Sequence, residues 1–190
     1  MKKFIWLTLL AASVPLIHGC AAVVVGGAAT GVLIADDRRK PGVYLEDQEI
    51  ELRAMDRLRG AFNDKAASVS TVSYNHHVLI YGQVQDAASQ AKATEMVKGI
   101  PNVVRVYNET TISGITSTTS ELNDASITTK VKARLANNDK ISSNHVKVVT
   151  EAAVVYLMGL VTREEGEIAG QIAASTSGAV RVVKLFEYIN

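Results

Sequence analysis

A single cysteine, Cys20, is the residue of this chain whose neighbours point most directly to a chemical modification. It follows a basic start, Lys2 and Lys3, an apolar run over residues 4–17 and the small residue Gly19. Basic, apolar and small residues in that order are typical of a secretory signal peptide. The thiol therefore stands at the cleavage end of an export signal. The alternative is an ordinary buried cysteine of a cytosolic protein, because free cysteine is often buried.

The four residues Ile17-His18-Gly19-Cys20 resemble the lipobox of bacterial lipoproteins, although His18 departs from the usual small or aliphatic residue at its position. The resemblance implies that cleavage makes Cys20 the mature N-terminus, with a diacylglyceryl thioether and an amide-linked acyl chain. Two or more chains anchor a protein stably, whereas one chain holds it only marginally. Ala21, where some lipoproteins carry Asp, resembles an outer-membrane address. Lipidation of the single cysteine would also explain why a protein exported to an oxidising compartment contains no disulfide.

The segment after the cysteine indicates a tether. Residues 21–35 are small and apolar and contain three glycines. A membrane-spanning helix needs about 20 apolar residues, and glycine favours flexibility over helix. We interpret residues 1–19 as the signal peptide and residues 20–45 as a lipidated cysteine with a Gly-rich tether. The alternative is a transmembrane hairpin with the signal region, and cleavage before Cys20 would remove its first half.

Composition excludes one class of partner. Lys2 and Lys3 leave with the signal peptide, which lowers the formal net charge from +1 to −1. Nucleic-acid-binding domains carry a clustered basic charge, so we expect no nucleic-acid partner. Aromatic residues make up only 5% of the chain, so aliphatic residues must form most of any core.

The remaining sequence repeats itself at an offset of 77 residues. Apolar residues spaced four apart recur, and so does an apolar stretch that contains a glycine. The matching sets are Ile50, Ala54 and Leu58 with Ile127, Val131 and Leu135, and Leu79 to Val84 with Tyr156 to Val161. A repeat of this kind indicates two copies of one structural unit. We place the first module at residues 46–112, the second at 121–190, and a Gly/Ser/Thr-rich linker at 113–120.

Both modules show the same order of periodicities. The spacing of four predicts a helix, which Asp124 would cap in the second module. Two β-branched runs predict a hairpin, and a second helix follows, with Asp86 as N-cap in one module and Thr162 with Glu165 as a capping box in the other. The fold class is therefore α+β, with two tandem αββαβ modules, each a three-stranded mixed sheet with helices packed on one face. The predicted strands are 69–74, 78–84 and 103–112, then 146–150, 154–161 and 180–189.

In each module one strand ends in an aliphatic residue followed closely by glycine, at Ile80-Tyr81-Gly82 and Leu157-Met158-Gly159, before a helix and a valine-rich last strand. Two αββαβ modules with these features resemble the BON domain, and the resemblance covers essentially the whole chain. Together with the lipobox, it implies a non-enzymatic protein that is lipid-anchored on the periplasmic side of the outer membrane. It also implies binding to anionic phospholipid (phosphatidylglycerol or cardiolipin), support of envelope integrity, presence at division sites and links to the outer-membrane assembly machinery.

Residues with catalytic potential are sparse. After the signal peptide, the histidines are His76, His77 and His145. His76 and His77 fall at a predicted hairpin turn, and adjacent strand residues point to opposite faces, so we do not expect them to share a metal. The sequence contains no HExxH, CxxC, phosphate-binding loop or GxSxG motif. We expect no enzyme activity, cofactor, metal or small-molecule substrate.

The first helix of the second module concentrates positive charge. Between Asp124 and Asp139 it contains three cations and no acid, whereas the equivalent helix of the first module mixes both signs. At about 100° per residue, the cations flank the apolar stripe on both sides. We predict that this helix contacts anionic phospholipid through Ser126, Ile127, Thr129, Lys130, Lys132, Arg134 and Asn137. The alternative is that the cations form a solvated face while the aliphatic residues build the core.

Charges near an anionic membrane contribute about 1 kcal/mol each. This is too little to recruit a free protein but enough to orient a tethered one. The leading hypothesis is therefore a lipid-anchored, phospholipid-binding envelope protein. The second is an interaction adaptor for the outer-membrane assembly machinery, the third a chaperone-like periplasmic role, and an enzyme comes last.

Overall fold

A computed structural model of the chain describes residues 37–62, 68–113 and 118–190. Both modules follow the predicted order of elements, with an additional short strand in the first. The first module contains α1 (Pro41–Ala61), β1 (Ser68–Tyr74), β2 (His77–Val84), α2 (Ala87–Lys98), β3 (Arg105–Asn108) and β4 (Thr111–Ile112). The second contains α3 (Thr118–Ala136), a 3-10 turn (Ser143–His145), β5 (Val146–Glu151), β6 (Val154–Val161), α4 (Arg163–Ala174) and β7 (Arg181–Tyr188).

Each module has a mixed sheet, as predicted. In the first, β1 pairs antiparallel with β2, and β3 and β4 pair parallel with β2. In the second, β5 pairs antiparallel with β6, and β7 pairs parallel with β6 along its whole length. The predicted last strand of the first module is interrupted because the Asn108 side chain accepts hydrogen bonds from the Thr110 amide and hydroxyl at 3.1 and 2.6 Å.

The two hairpins share an unusual turn. Both central residues have positive φ, as type I′ turns require. They are Asn75 (51°) and His76 (65°) in the first module and Ala152 (48°) and Ala153 (61°) in the second. Asparagine tolerates this conformation, but for alanine it costs about 1 kcal/mol per residue.

A buried aspartate holds each turn in place. Asp47 of α1 accepts hydrogen bonds from the two turn amides of the first module at 2.7 and 2.8 Å. Asp124 of α3 accepts from the two turn amides of the second module, both at 2.8 Å. The prediction that Asp124 caps its helix is therefore wrong, because α3 begins at Thr118. Its carboxylate satisfies the neighbouring turn instead.

The predicted capping residues of the second helices are confirmed. Asp86 accepts a hydrogen bond from the Ser89 amide at 2.7 Å. Thr162 and Glu165 form the reciprocal capping box at the start of α4. Gly82 and Gly159 lie where the preceding strand passes closely. A Cβ at Gly82 would clash with the Ser68 carbonyl, and one at Gly159 with the His145 carbonyl.

Three hydrophobic clusters organise the described residues. Two lie between the helices and the sheet of each module, and they contain the predicted stripes of α1 and α3. The third joins the opposite faces of the two sheets, so the modules pack sheet against sheet. Its buried members are Val72, Tyr74 and Leu79 from the first module and Tyr156, Met158 and Leu185 from the second. We call this contact the seam.

Polar contacts at the rim of the seam add to this shared core. The Asn75 side-chain amide donates to Glu187 at 2.9 Å, and the His77 ring lies 3.4 Å from the same carboxylate. Two looser ion pairs join Lys147 to Glu51 at 3.6 Å and Arg181 to Glu109 at 3.9 Å.

Candidate membrane-binding surface

Helix α3 divides into a buried and an exposed face. Ile127, Val131 and Leu135 are fully buried in the core of the second module. Their spacing of four residues places them on one side of the helix, against α4 and the sheet. The Ile127 side chain, predicted to contact lipid, therefore does not form part of the surface.

The exposed face of α3 carries the other predicted residues. Ser126 and Thr129 are exposed on α3, and Asn137 is exposed in the turn directly after it. The Thr129 hydroxyl donates to the Ala125 carbonyl within the helix at 2.8 Å. Leu122 continues this face one turn towards the N-terminus and is 70% exposed. An apolar side chain is thus presented beside polar ones on a single helical surface.

The three predicted cations differ in their surroundings. Within the part of the chain that the structure describes, neither Lys130 nor Lys132 forms an ion pair with a carboxylate. Arg134, in contrast, donates to the Ile172 carbonyl and the Thr176 hydroxyl, both at 2.7 Å, and further to Ser175. These acceptors lie at the C-terminal end of α4, where the helix dipole favours a cation. Arg134 therefore stabilises the second module, and two lysines remain available for a ligand.

The N-terminal segment before α1 attaches to both modules. Arg38 donates to both carboxylate oxygens of Glu165 at 2.6 and 2.8 Å, and to the Leu160 carbonyl at 3.0 Å. Arg39 donates to Asp47 at 2.8 Å, and its guanidinium lies 4.1 Å from the centre of the Tyr74 ring. Two consecutive arginines thus bind different modules.

Both contacts change proton affinities. The Arg38 hydrogen bonds hold the pKa of Glu165 at about 2, well below its ordinary 4.5. Burial opposes the charge of Arg39, but its hydrogen bonds to Asp37 and Asp47 outweigh this and raise its pKa. Glu165 and Arg39 are therefore charged at neutral pH, and ion pairs hold the N-terminal segment in place.

Each histidine of the first hairpin lies beside an acidic side chain. His76 lies 2.6 Å from Glu46, and His77 faces Glu187 and Tyr107, where burial lowers its pKa. No group of three metal-ligating side chains occurs within residues 37–62, 68–113 and 118–190. Over the same ranges, none of the helices combines the length and apolarity that a membrane crossing requires.

Comparison with known proteins agrees with the repeated αββαβ architecture. The model of the BON domain matches residues 46–114 and again residues 123–190. The chain belongs to the BON domain family. Its two BON domains account for most of the residues that the structure describes.

Similar proteins match most of the length of the chain. It is 34% identical over 175 residues to the outer membrane lipoprotein DolP of Haemophilus influenzae, and the alignment covers 92% of this chain and 91% of the relative. It is 28% identical to a 21 kDa hemolysin of Actinobacillus pleuropneumoniae, over 80% of this chain and 79% of the relative. The osmotically-inducible protein Y of Escherichia coli is 26% identical, over 80% of this chain and 77% of the relative.

The structure gathers part of the predicted site on the second BON domain. Ser126, Lys130 and Lys132 lie at the surface of one helix, where they are accessible to a ligand. Their role in lipid contact stays a prediction. Cys20 lies outside the described residues. Leu122 escaped prediction because the helix was expected to begin later; its spacing of four from Ser126 was the available signal.

Proposed function

We propose that this BON protein is a non-enzymatic, outer-membrane lipoprotein that binds anionic phospholipid through α3 of its second BON domain. In this proposal Cys20 carries the acyl anchor, the protein faces the periplasm, and phosphatidylglycerol or cardiolipin is the bound lipid. Its role is to support outer-membrane integrity at division sites. The Haemophilus relative is an outer membrane lipoprotein, and this similarity supports the location.

One observation carries the lipid-binding proposal. Lys130 and Lys132 have no carboxylate partner among the described residues, and they share a helix with the exposed Leu122. Leucine can enter the interface while lysines remain with the headgroups. Each lysine contributes about 1 kcal/mol near an anionic leaflet, so two lysines supply about 2 kcal/mol. Such a weak attraction orients a protein that an anchor already holds at the surface.

Vesicle co-sedimentation tests this proposal. The chain from Ala21 onward, without the acyl anchor, should bind phosphatidylglycerol vesicles more strongly than phosphatidylcholine vesicles, and added salt should weaken the binding. Lys130→Glu with Lys132→Glu should abolish the preference. Arg134 is left intact because it stabilises the second domain.

The first BON domain supplies a matched control. Lys92→Glu with Lys98→Glu makes the same charge change on α2, where both lysines are exposed. This control should keep most of the vesicle binding. Equal losses in both double variants, with thermal unfolding unchanged, would assign the effect to net charge and reject α3 as the binding surface.

Helix α1 favours a second candidate, an adaptor for the outer-membrane assembly machinery. Leu45 and Leu52 are 67% and 68% exposed, and Met55 is also exposed. Spacings of seven and three residues align these side chains along one face. Replacing all three with glutamine should remove co-purification of assembly proteins but leave vesicle binding unchanged.

A further inference from the structure

A cleft of about 580 Å³ lies where α3 meets the first BON domain. Its lining includes Lys132, Ala133 and Ala136 from α3, and Ser143 and Lys147 from the 3-10 turn and β5. Arg39 of the N-terminal segment also lines the cleft. The volume falls within the range of small-molecule sites, about 300–1,000 Å³.

The side chains that line the cleft offer a ligand more positive than negative charge. Arg39 is saturated by Asp37 and Asp47, so it serves as a wall. Lys132 has no carboxylate partner within the described ranges. Lys147 has one acid nearby, Glu51, with the Nζ to Oε1 distance at 3.6 Å.

The two lysines also act on one another. Burial and the neighbouring Lys147 lower the pKa of Lys132. A cation that loses hydration beside a second cation is destabilised until an anion joins it. The cleft is therefore electrostatically suited to a negatively charged group.

The other lining atoms define the kind of anion. Ser143 adds a hydroxyl-bearing side chain to the lining, whereas Ala133, Ala136 and Val146 add small apolar surface. A phosphate ester with a short aliphatic part matches both halves of this lining, since phosphate accepts several hydrogen bonds from cations.

We propose that this cleft binds a phosphate group, with Lys132 and Lys147 as its cationic ligands. The phosphate belongs to the headgroup of an anionic phospholipid, and this source rests on the function proposed above. Lys147 thereby extends the lipid-binding region from α3 to β5, beyond the residues that the helical pattern indicates.

Titration with glycerol phosphate, a soluble headgroup analogue, tests the cleft without a membrane. Amide NMR shifts are followed at constant ionic strength for the chain from Ala21 onward, which contains every described residue. Shifts should concentrate at Ser143, Lys147 and the facing turn of α3. Lys147→Gln should weaken binding about fivefold, as expected from about 1 kcal/mol per lysine. Lys92→Gln, which removes an exposed lysine from α2 of the first domain, should change it less than about twofold.

Glu51→Gln is a second variant. Its expected effect is tighter binding, which a loss of folding would not produce. It removes the acid beside Lys147, and the amide oxygen can still accept from the Ser73 amide, now at 2.8 Å from Glu51. Binding of glycerol phosphate should tighten about threefold. Absence of shifts at the cleft, or equal affinities for wild type, Lys147→Gln and Glu51→Gln, would overturn the proposal.

Vesicles of phosphatidylglycerol and a titration with inorganic phosphate then identify the source. Weaker vesicle binding by Lys147→Gln, together with competition by glycerol phosphate, supports the lipid headgroup. If inorganic phosphate binds the cleft but vesicle binding does not depend on Lys147, the cleft stands as a phosphate site and the lipid source is rejected. Vesicle binding that depends on Lys130 alone, without any cleft shifts, leaves the proposed function standing and rejects the cleft.

Discussion

Replacing Arg38 with glutamine should destabilise the protein by about 2 kcal/mol at pH 7. The substitution removes the bidentate contact with Glu165 and the bond to the Leu160 carbonyl. The pKa of Glu165 falls from 4.5 to about 2, and each unit corresponds to about 1.4 kcal/mol. The Thr162 hydrogen bonds cause part of this shift and remain in the variant, and the Arg38 side chain, which is 27% accessible, is partly screened by solvent. We therefore assign about 2 of the total of about 3 kcal/mol to Arg38.

The same pKa gives the direction of the pH dependence. Because folding lowers the pKa of Glu165, the stabilisation is present above pH 4.5 and is lost as the pH falls towards 2. At pH 3 less than about half of this stabilisation should remain. Urea unfolding of the wild type and Arg38→Gln at pH 7 and pH 3 measures both differences, and the melting temperature should fall about 4–8 °C at pH 7.

A surface pair provides the control for this prediction. Arg53 and Glu49 form an ion pair on α1 in which both side chains are more than half exposed. Arg53→Gln should cost less than about 0.5 kcal/mol at either pH. If Arg38→Gln is no more costly than Arg53→Gln, or costs the same at both pH values, the N-terminal segment does not hold the second BON domain through Glu165.

Three further substitutions probe the hairpin of the second domain. Asp124→Ala removes the acceptor for the Ala152 and Ala153 amides and should lower the free energy of unfolding by about 2–3 kcal/mol in urea titrations. Ala153→Gly relieves a residue at φ of 61° and should raise the melting temperature slightly, with a gain of about 0.5–1 kcal/mol. Gly159→Ala places a Cβ against the His145 carbonyl and should destabilise the domain by more than about 3 kcal/mol, as measured by calorimetry.

Much of the fold could be predicted because both halves obey the same local patterns. The spacing of Ile127, Val131 and Leu135 identified a buried helical stripe, and the structure places all three in the core. The β-branched runs identified the strands, since side chains in a sheet core are recognisable over short windows. Thr162 and Glu165 form the capping box that their spacing indicates.

The features that escaped prediction depend on contacts between distant residues. Asp124 has the sequence context of an N-cap, but its partners are turn amides 28 and 29 residues away. The seam left no local signal either, because strands buried on both faces look like ordinary apolar runs. Arg134 could not be distinguished from Lys130 by charge and period. Only the position of the end of α4 shows that its guanidinium is occupied.

The shared cluster between the sheets bears on how a tandem of this kind arises. An isolated repeat would present Tyr74 and Leu79, or Tyr156 and Met158, to water across an open sheet. Two identical copies could cover such a face by symmetrical association, which is the commonest form of self-assembly. Fusion into one polypeptide keeps that covering contact and frees the halves to diverge.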